Sequence, residues 1–468
     1  MSALRTQPPA ALLVVVLLVL CCPPARALTP PRADDRWLPV PAAPAPAQPT
    51  VQRRVCVAPV AAPVPVAPTQ LEGLDLAAAW ASSRGAGVRV AVIDTGVSPH
   101  RRLTDLTPGG DYVSTGSGDQ DCDGHGTLVA GIIAAASDPA GDRFAGVAPA
   151  ASLISIRQSS AVFAAAVDPS RPGVGDVDTL AAAVRTAADL GAAVINISTV
   201  ACRPAREALD DRALGAALAY AATVKDAVVV AAAGNTDTAG GCPAQPPDAT
   251  WQTSAVAVSP AWYDDYVLAV GSVDPQGRPS TFTLPGPWLD VAAPGEAVVS
   301  LDPAGDGLVS ALPGSDGPAP IHGTSYAAPV VSGLAALIRS RFPHWTARQV
   351  RARICATARP APGGWNPVVG HGVVDPVAAL ALDEPDNPVG PAGPARPDDA
   401  ATPNVEPAPP APAPNAPAPD RARHTAVTGA AFCLAVLLVA AALRSTRRGR
   451  DDVAGDGSGL AAEQRPDR

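Results

Sequence analysis

"GVRVAVID", Gly87 to Asp94, decides how this chain folds. The run is short, rich in β-branched residues and free of polar side chains from Val90 until it ends on an aspartate. Such a segment is a strand buried on both faces, and strands of that kind belong to sheets covered by helices. Three more runs share the pattern: Ser152 to Ile156, Ala193 to Ile197 and Ala227 to Ala232 ("AVVVAA"). Between them, Asp178 to Leu190 and Ala205 to Tyr220 carry helical spacing in Ala-rich sequence. Strands alternating with helices predict an α/β fold, a doubly wound and mostly parallel sheet.

Functional residues in open sheets of this kind gather beyond the carboxyl ends of the strands. Asp94 ends its strand and is followed by Thr95-Gly96, while Asn235 follows "VVVAAAGN". Ser325 lies in "HGTSYAAPVVSGLAALI", where a Gly-Thr turn opens a long apolar helix. His125 sits in "DCDGHGTLVAG", Asp121 to Gly131, between two glycines that allow close backbone approach. Taken singly, each has a plainer reading. A strand-ending Asp serves turns, Gly-His-Gly forms loops, and Thr-Ser caps helices.

Together they supply what acyl transfer requires: a nucleophile, a base, a group to orient the base and a donor for the oxyanion. Ser325 would present its hydroxyl at the positive end of a helix dipole. Asp94 could hold the His125 tautomer, and Asn235 could donate to the developing oxyanion. Losing such a donor costs roughly two to three orders of magnitude in rate.

"VAVIDTGV", "DGHGTLVAGIIA", "VVVAAAGN" and "GTSYAAPVVSGLAAL" resemble, in family order, the Asp, His, oxyanion-Asn and Ser motifs of subtilisin-like serine proteases. The resemblance runs from about Leu71 to Leu380. It implies a serine endopeptidase with Ser325 as nucleophile, His125 as general base and acid, Asp94 as orienter and Asn235 in the oxyanion hole. "INIST", Ile195 to Thr199, resembles the strand whose backbone pairs with substrate, although Thr199-Val200-Ala201 replaces the usual Leu-Gly-Gly. Ser198, Thr199 and Gly234 are the substrate-binding candidates. No cofactor is expected: subtilisin relatives often bind calcium, but no Asp/Asn-rich loop here reads as a metal site.

The ends of the chain speak of export. Arg5, the apolar run Ala10 to Leu20 and Ala25-Arg26-Ala27 form a signal peptide, residues 1–27. Thr425 to Leu443 carries no charge and is long enough for one transmembrane helix. Arg444, Arg447, Arg448 and Arg450 follow it, so the tail 444–468 should stay in the cytoplasm. Residues 383–424 are too Pro-rich to bury a core and read as a semi-rigid stalk. This leaves a propeptide-like extension, 28–70, and a single peptidase domain, 71–382. The net charge of −9 with no basic patch argues against nucleic acid as a partner.

An exported domain should oxidise its cysteines. Outside the signal and the membrane segment stand Cys56, Cys122, Cys202, Cys242 and Cys355. Cys355, in the helix-like "VRARICATA", reads as a buried core thiol, and the other four allow three pairings. The subtilisin-like fold brings the turns carrying Cys202 and Cys242 to one rim. It thereby implies that pair, with Cys122 tied back to Cys56 in the extension.

The tether, stalk and anchor narrow the resemblance to mycosins, the membrane-anchored subtilisin-like proteases of mycobacterial type VII secretion. Ser98-Pro99-His100 and "DCDGHGTLVAGI" match them closely. This resemblance implies a single-pass membrane protein with its peptidase on the periplasmic side, a protein or peptide substrate, and type VII membrane-complex subunits as partners. Two alternatives are a mainly structural subunit of that complex and an unassociated surface protease. Ala161 to Val177 is expected to be one of the long added loops of mycosins and a contact surface.

Overall fold

The computed structural model describes residues 28–58, 69–138, 142–207, 209–236, 241–314 and 317–381. The segments expected to be the signal peptide, the stalk, the membrane span and the tail, with most of the Pro/Ala-rich end of the extension, lie outside the described residues. Among the described residues, no helix is long and apolar enough to cross a membrane.

Seven parallel strands form the central sheet. They are β1 Arg89–Asp94, β2 Leu106–Asp111, β3 Ser152–Arg157, β4 Val194–Ile197, β5 Val228–Ala232, β6 Val267–Val273 and β7 Leu289–Pro294. Their order across the sheet is β7-β6-β5-β4-β1-β3-β2. Alternation along β1 shows why its apolar run is unbroken. Val90 and Val92 pack into one core, beneath α1 (His125–Ala134) and α4 (Thr324–Arg341). Ala91 and Ile93 pack into the other, beneath α2 (Val177–Asp189) and α3 (Arg212–Ala219). A strand buried on both faces has no polar positions to spare until it reaches its end.

The chain leaves β1 for β2 and β3 on one side and then returns to build β4 on the other. The crevice beyond the carboxyl end of β1 is therefore the switch point where a site belongs. Asp94 stands there.

Three sequence expectations are corrected. The helix expected over Ala205 to Tyr220 begins only at Arg212: Ala201–Pro204 pairs antiparallel with Val256–Ser259, the Ala205 amide continues that pairing by donating to the Ala255 carbonyl at 2.7 Å, and a turn follows in which the Glu207 amide donates to the Pro204 carbonyl. It closes through a wider turn over Tyr220–Val224. Ala161 to Val177 is not an open loop: Ser160–Ala165 and Pro172–Val174 form a hairpin. Thr50–Gln52 of the extension adds a third strand to that hairpin, so extension and insertion stabilise one another. Cys355 is free but only half-buried, packed against the edge of the core.

β2 carried no strand signal, since Pro108-Gly109-Gly110 interrupts it. An edge position tolerates the proline. Gly109 is required, because a Cβ there would stand 2.6 Å from Ile154 Cγ2 on β3.

Candidate active site

The carboxylate of Asp94 is fully buried at the end of β1, and its Oδ1 receives the Thr95 amide at 2.8 Å. The same oxygen lies 2.7 Å from His125 Nδ1. His125 opens α1, and the ring keeps 27% of its side chain open to the cleft. Its loop touches the β1 turn backbone to backbone: a Cβ on Gly126 would lie 2.0 Å from the Gly96 carbonyl oxygen. Only glycine permits this approach.

Asp121 holds the two loops in register. Its carboxylate accepts from Thr95 Oγ1 (2.8 Å), the Gly124 amide (2.7 Å), the Thr127 amide (2.8 Å) and Thr127 Oγ1 (2.7 Å). Asp123 accepts from Ser160 Oγ at 2.5 Å and the Ala161 amide at 2.7 Å, tying the histidine loop to the hairpin. Cys56 joins Cys122 through a 1.94 Å S–S bond, so the extension meets the same loop.

Ser325 is the second residue of α4. Its hydroxyl donates to the Ser198 carbonyl at 3.0 Å, and among the described residues no hydrogen bond joins it to His125. Asn235 ends the turn after β5, where its Oδ1 accepts from the Thr324 amide (3.0 Å) and Thr324 Oγ1 (2.8 Å). Its Nδ2 lies beside Gly323, 3.2 Å from where a Cβ would stand. The carbonyl end of the amide is thus occupied, and the donor end faces the start of α4.

Gly234, at φ +100°, packs directly on a second disulfide, Cys202–Cys242 with an S–S length of 1.97 Å. A Cβ at Gly234 would meet Cys242 Sγ at 3.2 Å. Of the other substrate-binding candidates, Ser198 directs its hydroxyl to the Ser325 carbonyl, and Thr199 Oγ1 is buried without a hydrogen-bond partner among the described residues.

The subtilase family model, Peptidase_S8, matches residues 85–372. The chain is a subtilase. It is 58% identical to Mycosin-4 of Mycobacterium tuberculosis over 442 residues, covering 92% of this chain and 94% of that protein. Among solved structures, the MycP3 protease of the type VII (ESX-3) secretion system is 47% identical, with a TM-score of 0.71 over 76% of this chain and all of that one. A chain of the intact ESX-5 inner membrane complex is 40% identical, with a TM-score of 0.72 over 90% of this chain and 100% of its own length. Within the subtilases the chain belongs with the mycosins, and it is a serine endopeptidase.

The electrostatics of this subtilase centre favour a charged histidine. Burial opposes the imidazolium, but the charge and hydrogen bond of Asp94, with Asp121 and Asp123 nearby, outweigh it and raise the His125 pKa. In the role of base that the sequence leads one to expect, His125 must be neutral, so activity should fall as pH drops through that raised value. The stabilising imidazolium–Asp94 contact has the opposite window. It is fully present below the unfolded-state pKa and lost as pH rises through the folded one. The acid limb of kcat/KM should lie above the ~6.5 of a free imidazole. Asp121→Asn, which removes one of the charges, should move it down; a limb that stays in place would count against this assignment.

Sequence reasoning missed Asp121, Thr95 and Thr127. The signal was present in "DCDGHGT", where an aspartate stands one turn before a helix that opens on Gly-His-Gly-Thr. Thr324, directly before Ser325, carries in the sequence only the signature of a helix cap.

Proposed function

We propose that this subtilase is a membrane-anchored endopeptidase working on the extracytoplasmic side of a type VII secretion system. Ser325 is its nucleophile, His125 its general base and acid, Asp94 the orienter and Asn235 the oxyanion donor. The single observation carrying this reading is the 2.7 Å Asp94–His125 pair at the switch point, with the His125 ring 5.0 Å from the ring of Tyr326, the residue after Ser325 at the head of α4. In the cycle, the Ser325 hydroxyl turns from the Ser198 carbonyl to His125 and attacks the scissile carbonyl of a protein or peptide. His125 takes its proton and passes it to the leaving amine. Asn235 Nδ2 donates to the oxyanion, its other end being held by Thr324. Substrate backbone lies along Ser198, Thr199 and Gly234.

Membership of a secretion complex is supported by the likeness to MycP3 and to the ESX-5 chain. Anchoring rests on the uncharged Thr425 to Leu443 and the arginines behind it. Full-length protein extracted from its membrane should co-purify with several membrane subunits. Protease applied outside spheroplasts should cut the stalk and spare a tag after Arg468. Purification alone, or a tag cleaved in intact cells, would overturn the respective half of this reading.

Besides strand pairing and the packing of Leu28 and Leu38 on the core, a covalent tether holds the extension. The Cys56–Cys122 bond spans 66 residues, for which the chain-entropy model gives about 4 kcal/mol. Cys56→Ser should free the extension to trypsin at Arg53 and Arg54 while Ser325 still reacts with a fluorophosphonate. An extension that resists trypsin in this variant would show that strand pairing alone retains it.

A further inference from the structure

The helix that carries Ser325 has a defect one turn in. In an α-helix the carbonyl of residue i accepts from the amide of residue i+4. For Ser325 that residue is Pro329, which has no N–H to give. The carbonyl of the nucleophile's own residue therefore lacks its helical partner, and leaving such a group unpaired where water reaches it only in part is costly.

The structure fills the vacancy from outside the helix. Ser198, just past β4, donates its hydroxyl to the Ser325 carbonyl at 2.8 Å. Ser198 Oγ in turn accepts from Asn196 Nδ2 at 3.0 Å, and Asn196 Oδ1 accepts from Ser332 Oγ at 2.8 Å. Ser332 and Asn196 are completely buried. Ser332 lies seven residues beyond Ser325, two turns along the same face of α4, while Asn196 and Ser198 alternate onto one face of their strand. Each donor has one acceptor, so the three side chains form a directional relay that starts inside the core and ends beside the nucleophile.

We propose that Ser198 is a positioning residue for Ser325, locked by Asn196 and Ser332, and that its hydroxyl stands in for the amide that Pro329 lacks. This rests on Ser325 being the nucleophile. The relay fixes the first turn of α4, and with it the direction in which the Ser325 hydroxyl leaves the helix. The Ser198 carbonyl holds that hydroxyl at 3.0 Å, so one residue grips the nucleophile from both its side-chain and main-chain groups.

The helix defect supplies its own control. Pro329→Ala restores an amide at i+4 and should make the Ser198 hydroxyl dispensable. In the full-length protein, Ser198→Ala should lower kcat for a peptide substrate roughly ten- to hundredfold with KM little changed. The rate of fluorophosphonate labelling at Ser325 should fall by the same factor. Ser198→Thr, which keeps the hydroxyl, should lose less, and Ser332→Ala should show a smaller loss of the same kind. Adding Pro329→Ala to Ser198→Ala should recover most of the loss, measured against Pro329→Ala alone; thermal melts identify any variant that fails to fold, for which Ser198→Thr and Ser332→Ala stand in. Unchanged kcat in Ser198→Ala would overturn the proposal. A loss carried by KM and not rescued by Pro329→Ala would also overturn it, assigning the hydroxyl to substrate contact instead. A wild type that takes no label at Ser325 would overturn the nucleophile assignment beneath it.

Discussion

Ser325→Ala and His125→Ala should each lower kcat for peptide hydrolysis by about six orders of magnitude, the scale set by a subtilisin triad. The double variant should lose little more. The reason is that, in the roles proposed for them, the two side chains perform one act. A serine hydroxyl is a poor nucleophile until its proton has somewhere to go, and the imidazole has no task without that proton. What survives in all three variants is the contribution of the oxyanion donor and of substrate binding, roughly three to four orders of magnitude over water. Losses in the two single variants that simply multiply in the double variant would mean that the residues act independently. That outcome would remove the triad.

Asp94→Asn should cost about four orders of magnitude. The aspartate is buried at the end of β1, where Oδ1 faces His125 Nδ1 at 2.7 Å and receives the Thr95 amide at 2.8 Å. An ionised carboxylate only accepts, so it requires the proton on Nδ1 and leaves Nε2 free to act as base. An amide in that place can present its NH2 to Nδ1 and select the other tautomer. The variant should remain folded, since volume and shape are kept. It should also lose the raised His125 pKa, because the carboxylate charge and hydrogen bond that oppose burial are gone. Activity within tenfold of the wild type would show that Asp94 is structural only.

The central strands were legible because burial on both faces leaves an apolar run that nothing else explains. β1, β3, β4 and β5 each end close to where their runs end. β2 was not legible, because its glycine serves a close approach to β3 that only the packed sheet requires. Nor was the late start of α3, since pairing of Ala201–Pro204 with Val256–Ser259 overrides helical spacing in the residues between. At the site, the residues that bear chemistry stand in distinctive local motifs. Those that hold them do not: Asp121 works through four hydrogen bonds across two loops, and Ser332 through a relay between a helix and a strand. Such partners are neighbours only in three dimensions. The cysteines posed the same problem, because four residues with three pairings become two bonds only once the fold brings particular turns together.

The most direct test is to react the purified protein with a fluorophosphonate and map the adduct by mass spectrometry. One adduct is predicted, on Ser325 in the peptide containing "HGTSYAAP", absent from Ser325→Ala and from protein unfolded beforehand. Label on any other residue, or label that persists in Ser325→Ala, would contradict the account.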